Sequence, residues 1–190
     1  MEVPEIVQDG APVLRGVAAP VPETLFGTPE LKKIIDAMAQ ALDGEPDGVA
    51  IAAPQIALPY RLFLVRYDRV MEPPAEGEPP HAPEIGVYAN PSFVKTSRKR
   101  SIMDEGCLSV RGFYGKTMRH ERATVRAQDA SGAAFERGGG GLLAQIFQHE
   151  IDHLNGILFI DHAQDITRLK KRKHSPEDAE HAEADGEHEG

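Results

Sequence analysis

The stretch Gln148-His149-Glu150-Ile151-Asp152-His153-Leu154-Asn155-Gly156 decides how this 190-residue chain is to be read. His149 and His153 stand four residues apart, so on an α-helix both imidazoles leave one face and can grip one ion. Glu150 reaches the same side, where a water on that ion would sit. An apolar stripe of Leu142, Leu143, Ile146 and Leu154, glycines before it and Gly156 behind it predict the helix. Two histidines do not close a catalytic site, because a third protein ligand must join them and leave one position for water. Downstream, Asp161, His162 and the tail histidines are candidates. Upstream, Cys107 is a better one: it is the only cysteine, and a thiolate is an excellent ligand for a borderline metal. A small buried apolar residue is the plain alternative for a single cysteine. Against it, Gly106 permits close backbone approach, and Asp104 and Glu105 are unusual in a plain core strand.

Outward from this helix the chain alternates short strands with turns. Residues 138–141 are four glycines, which predict a hinge into a helix whose first turn lacks a side-chain cap. Before them, Arg122–Gln128, the turn Asp129-Ala130-Ser131-Gly132 and residues 133–137 predict a hairpin. Residues 61–67, 85–89, 92–96 and the approach to Cys107 read as further strands, with Asn90-Pro91 as a break. Five prolines and Gly77 between Pro73 and Pro83 predict a surface insertion of about 69–84. Thr28-Pro29-Glu30 is a helix start, and Leu31, Ile34, Ile35, Met38 and Leu42 share one face, so a packing helix covers about 29–43. In 48–55, small residues let the backbone approach a ligand, and Gln55 adds an amide able to donate to a developing oxyanion. Residues 1–23 read as an extended arm, and 165–173 as a short basic helix.

The net charge of −9 is unevenly spread. Residues 174–190 hold seven acids and no Lys or Arg, which leaves 23 acids against 21 bases in the rest. A nearly neutral body argues against general nucleic-acid binding, and the tail has too little apolar surface to order itself. The expected organisation is one catalytic domain over 1–173 followed by an acidic disordered tail. A single cysteine fits a reducing compartment, and neither a signal peptide nor a membrane span is evident.

His149 to Gly156 resembles the metal helix of the peptide deformylases, and Glu105-Gly106-Cys107-Leu108-Ser109 resembles their cysteine motif. Gly48-Val49-Ala50-Ile51-Ala52-Ala53-Pro54-Gln55 is similar to their glycine-rich motif ending in Gln, and the three stand in the family's order. The likeness covers roughly residues 5–172. Ala50 departs from a usual Gly, Arg111 from a common Pro, and Gly140 from a frequent Asp.

The resemblance implies an α+β fold with antiparallel sheets around a central metal-binding helix. It implies hydrolysis of the N-formyl group from the initiator methionine of nascent polypeptides, giving formate and a free amine. Cys107, His149 and His153 would hold one divalent ion, Fe2+ by resemblance to the bacterial family, with Zn2+, Ni2+ or Co2+ acceptable to the same ligands. Glu150 would carry the proton, and Gln55 with the backbone N–H of Leu108 would stabilise the oxyanion. Leu142 and Ile146 on the metal-helix face are candidates for an apolar methionine slot, and the resemblance adds Val49, Ala50 and Met103. Gln145 shares that face where the family is usually apolar. The implied setting is the cytoplasm, with N-formyl-methionyl peptides as substrates, ribosome contact through the basic segment 168–173, and no membrane or DNA partner. Two rivals stand beside this reading: a small protease using the same helix with another third ligand, and a non-catalytic protein on the same fold.

Overall fold

A computed structural model describes residues 3–72, 79 and 81–168 of the chain. Among the described residues, eight strands form two antiparallel sheets: β1 (Ala50–Ala52), β2 (Leu62–Arg66), β3 (Ile85–Thr96), β4 (Arg100–Gly106), β5 (Phe113–His120), β6 (Arg122–Gln128), β7 (Ala134–Gly140) and β8 (Gln164–Arg168). The larger sheet has the order β1-β2-β3-β6-β7 and the smaller the order β4-β5-β8. Three α-helices join them: α1 (Pro29–Asp43), the short α2 (Tyr67–Val70) and α3 (Gly141–Leu154), which carries the histidine pair. This is the expected α+β architecture. Among the described residues no helix is long and apolar enough to cross a membrane.

At its β1-β2 end the large sheet is covered on both faces, which explains why β2 is buried at every position rather than alternating. On one face, Phe63 and Val65 meet Phe147, Ile151 and Leu154 of α3. Phe63 stacks on Tyr88 with ring centroids 4.6 Å apart, and Phe147 tilts against Tyr88 at 5.4 Å. On the other face, Leu62 and Leu64 meet Leu31, Met38 and Leu42 of α1. That helix starts as its sequence predicts, with the Thr28 hydroxyl accepting from the Leu31 N–H and Pro29 in the first turn.

Several local expectations are corrected. Asn90-Pro91 does not break the chain into two strands, because β3 runs through it with a shift of register against β6. Asn90 takes a left-handed φ of 50°, and its side chain bonds the N–H and carbonyl of Val21 and the amide oxygen of Gln128. The four glycines are not a hinge: Gly138, Gly139 and Gly140 pair with Thr124, Ala123 and Arg122 as the end of β7. Leu143 packs on Gly139, where a Cβ would lie 2.7 Å from its Cγ, so the strand can pass directly under the helix. Gly141 then starts α3 at a φ of 54°, and no side chain caps the helix, as expected.

Residues 164–168 form a strand against β5 in place of the predicted basic helix, and 169–173 lie outside the described residues. The N-terminal arm is not extended throughout, since Pro12–Arg15 and Glu23–Leu25 are single 3₁₀ turns. Between β2 and β3 the chain first makes α2, and of the expected insertion residues 73–78 and 80 lie outside the described residues, as does the acidic tail.

Phe147 joins α3 to the aromatic stack, so Phe147→Ala is expected to lower unfolding free energy by about 3–5 kcal/mol. The shift of the urea midpoint, at unchanged slope, measures it.

Candidate metal centre

α3 aims His149 and His153 from successive turns of one face, and β4 delivers Cys107 at its exit. One ligand atom from each of Cys107, His149 and His153 lies within 4.8 Å of the others. The Cys107 Sγ and His153 Nε2 are 3.1 Å apart, and the two imidazole rings stand edge to face with centroids 4.8 Å apart. One thiolate and two imidazoles so spaced fit a divalent ion with bonds of about 2.0–2.3 Å. Burial, helped by the neighbouring His149, holds His153 well below the usual imidazole pKa, which favours the neutral form that ligates. Among the described residues, the downstream alternatives Asp161 and His162 do not join this group, and the tail histidines lie outside those residues. Asp161 Oδ2 accepts from Arg15 at 2.6 Å and from the Leu158 N–H at 2.9 Å.

Behind the ligands lies a buried carboxylate. Glu105 Oε1 meets His149 Nδ1 and an Arg119 terminal nitrogen, each at 2.6 Å. Its Oε2 accepts from the Thr117 hydroxyl at 2.6 Å and the Arg119 Nε at 2.9 Å. Burial opposes the charge of Glu105, yet the Arg119 and His149 bonds outweigh it and hold the carboxyl well below the ordinary range. His149 therefore donates from Nδ1, leaving Nε2 with its lone pair for the ion. Arg119 also donates to Asp152 at 2.6 Å, tying β5 to α3.

Glu150 is the opposite case. It is 3 % exposed, its Oε2 has no hydrogen-bond partner, and burial raises its pKa to about 7, against the opposing pull of His149. A carboxylate of that kind is poised to exchange a proton near neutral pH.

Gln55 sits in a 3₁₀ turn after β1. Its Oε1 accepts from the Ala52 N–H at 2.8 Å, so the NH2 end points outward, 3.2 Å from Ser109 Oγ and 3.7 Å from Cys107 Sγ. The Ser109 N–H lies 3.4 Å from the same sulfur. Gln8 bonds the carbonyl of Leu108 at 3.0 Å, so the N-terminal arm steadies the turn after the cysteine.

A cavity of about 370 Å³ opens on this cluster. Val49, Ala50, Gln55, Cys107, Leu108, Leu142, Gln145, Ile146, His149 and Glu150 all line it. Met103, added by resemblance, is not among the lining residues; it lies on β4 opposite Thr117. The support from Glu105 and Arg119 went unread in the sequence. Its signal was the alternation of β5, where Gly115, Thr117 and Arg119 turn inward, which put an arginine on a buried face.

The family model for polypeptide deformylase matches residues 3–169. A peptide deformylase from a Bradyrhizobium species is 38% identical over 161 residues, 83% of this chain and 87% of its relative. One from Hydrogenovibrio crunogenus is 39% identical over 170 residues, covering 89% and 91%. Among solved structures, the actinonin-bound class I type b peptide deformylase from Acinetobacter baumannii superposes with a TM-score of 0.74 at 32% identity, covering 86% of this chain and all of that one. The peptide deformylase from Legionella pneumophila gives 0.73 at 34% identity, covering 86% and 88%. With a thiolate and two imidazoles converging beside a buried glutamate, and these likenesses over nearly its whole described length, the chain belongs to the polypeptide deformylase family, metal-dependent hydrolases that remove N-formyl groups from nascent peptides.

Proposed function

We propose that the cavity takes the formylated initiator methionine of a new polypeptide, with Glu150 as the proton carrier and Cys107, His149 and His153 as ligands. The observation that carries this reading is the orphaned Glu150 oxygen, buried beside a converged thiolate and imidazole pair. Cys107, His149 and His153 would hold a divalent ion, which would supply Lewis acidity toward the formyl group and lower the pKa of a bound water. Glu150 accepts the attacking water's proton and returns it to the departing nitrogen. The balance is formyl amide plus water to formate plus free amine. Gln55 Nε2 and the Leu108 N–H donate to the oxygen that gains charge, each such donor being worth about 3–4 kcal/mol.

Two features support an extended peptide as substrate. β1 and β4 are each the outer strand of their sheet, and Ala50 of the one and Asp104, Glu105 and Gly106 of the other line the cavity, so two strand edges border it. A related structure from Acinetobacter baumannii is described as bound to Met-Ala-Ser. The methionine side chain then lies against Val49, Ala50, Leu142 and Ile146. Met103 is left out of that slot.

We assign Fe2+ as the working ion, a cytoplasmic setting, and a single catalytic body of 1–173 with an acidic tail over 174–190. Contact with the ribosome would run through 168–173, of which Arg168 lies in β8 over the Phe113 ring and 169–173 fall outside the described residues.

Glu150→Gln is expected to keep the metal stoichiometry while turnover of formyl-Met-Ala-Ser falls by about 10² or more. Loss of metal in proportion to activity would make Glu150 structural. Glu105→Gln should weaken metal affinity by roughly 10–100-fold, read by competition with a chromophoric chelator on variant verified as folded. For the ion, enzyme prepared in air should lose activity as iron or the Cys107 thiolate oxidises, while nickel or cobalt enzyme keeps it. A zinc form that matches anaerobic iron enzyme in rate and survives air would overturn the iron assignment.

A further inference from the structure

On the α3 wall of the cavity, beside Leu142 and Ile146, stands a side chain that an all-apolar slot would not contain. Gln145 lies one turn before His149 on α3, lines the cavity, and is 7% exposed. Its Nε2 donates to the Asp104 carbonyl at 2.9 Å and to Glu105 Oε2 at 3.3 Å. Asp104 offers a carbonyl and Glu105 an ionised carboxylate, both acceptors, so the amide can face them only with its NH2 end. Its orientation is thereby fixed, and Oε1 is the end turned from that wall.

No hydrogen bond to Oε1 forms among the described residues. The buried side-chain atoms that lack a partner are Glu150 Oε2 and His153 Nδ1, so Gln145 Oε1 is not sealed and opens to the cavity its residue lines. A fixed amide oxygen is a strong acceptor, and covering it with an apolar group leaves it unsatisfied, whereas a donor satisfies it.

We propose that Gln145 is a specificity-determining residue: its Oε1 gives the first-residue slot a fixed hydrogen-bond acceptor, so the enzyme deformylates peptides whose first side chain ends in a hydrogen-bond donor. This rests on the reading that the cavity receives the first side chain of a formyl peptide. The substrate class is an N-formyl peptide opening with an unbranched chain of methionine's length that ends in an N–H, of which glutamine is the natural example. The amide N–H of such a side chain donates to Gln145 Oε1, and the methylenes lie along Ile146 and Leu142.

The test compares formyl-Gln-Ala-Ser with the same peptide carrying the methyl-ketone isostere of glutamine, in which CH3 replaces NH2. Wild-type enzyme is expected to favour the amide by about tenfold in kcat/KM, the scale of one neutral hydrogen bond. In Gln145→Leu and Gln145→Met the preference should fall to near unity. Taking the ratio within each enzyme removes any general loss from the broken bonds to Asp104 and Glu105. Equal rates in the wild type, or a preference that survives both substitutions, overturn the proposal, and the wild-type comparison stands even where a variant does not fold. Formyl-Met-Ala-Ser separates the two levels. If it is hydrolysed while amide and ketone run alike, only the role of Gln145 fails; if no formyl peptide is hydrolysed, the proposed function fails with it.

Discussion

The site depends on one buried carboxylate. Glu105 is 4% exposed and receives hydrogen bonds from two separate elements, Thr117 and Arg119 on β5 and Gln145 and His149 on α3, while it stands itself on β4. Burying this charge is tolerable only because every contact is a donor and a guanidinium is held at both oxygens. The same bonds fix the distance from the β4 strand that leads to Cys107 to the helix that carries both imidazoles. Removing that charge would leave Arg119 buried with Asp152 as its remaining acid partner and His149 free to turn.

Two glutamates within one small volume thus do opposite work. Glu105 is surrounded by donors, stays ionised and acts as a fixed support. Glu150 is as deeply buried but lacks such partners, so its charge is disfavoured and its pKa rises to about 7. Environment rather than residue type separates the ionised carboxylate from the one whose charge is disfavoured.

The scaffold explains how such a polar cluster can exist in a chain of this size. At β1 and β2 the large sheet is covered on both faces, by α1 on one and α3 on the other, and the aromatic stack of Phe63, Tyr88 and Phe147 seats α3 firmly. Tight passages help: Leu143 lies directly over Gly139, and at Gly156, whose φ is 74°, a Cβ would meet the Arg15 carbonyl at 2.6 Å. These glycines let α3 enter and leave close to its neighbours. The histidines therefore sit on an element with little freedom to shift.

The sequence alone determined the local matters. The His149–His153 spacing, the apolar stripe of α3, the Thr28-Pro29 start of α1 and the two-residue environment of Cys107 are set by neighbours within a turn or a strand, where side-chain direction follows from backbone period. Only the tertiary structure decided the rest. Asn90-Pro91 continues as strand because contacts with Val21 and Gln128, distant in sequence, hold its unusual backbone. The glycine run becomes a strand end because β6 offers partners, and 164–168 pairs with β5 where local composition suggested helix. The pairing of Glu105 with Arg119 joins residues fourteen apart across two strands, and its contact with His149 spans forty-four. Such contacts carry no periodic signal, because a hydrogen bond across a fold depends on where whole elements come to rest, and that is settled by packing rather than by any one segment.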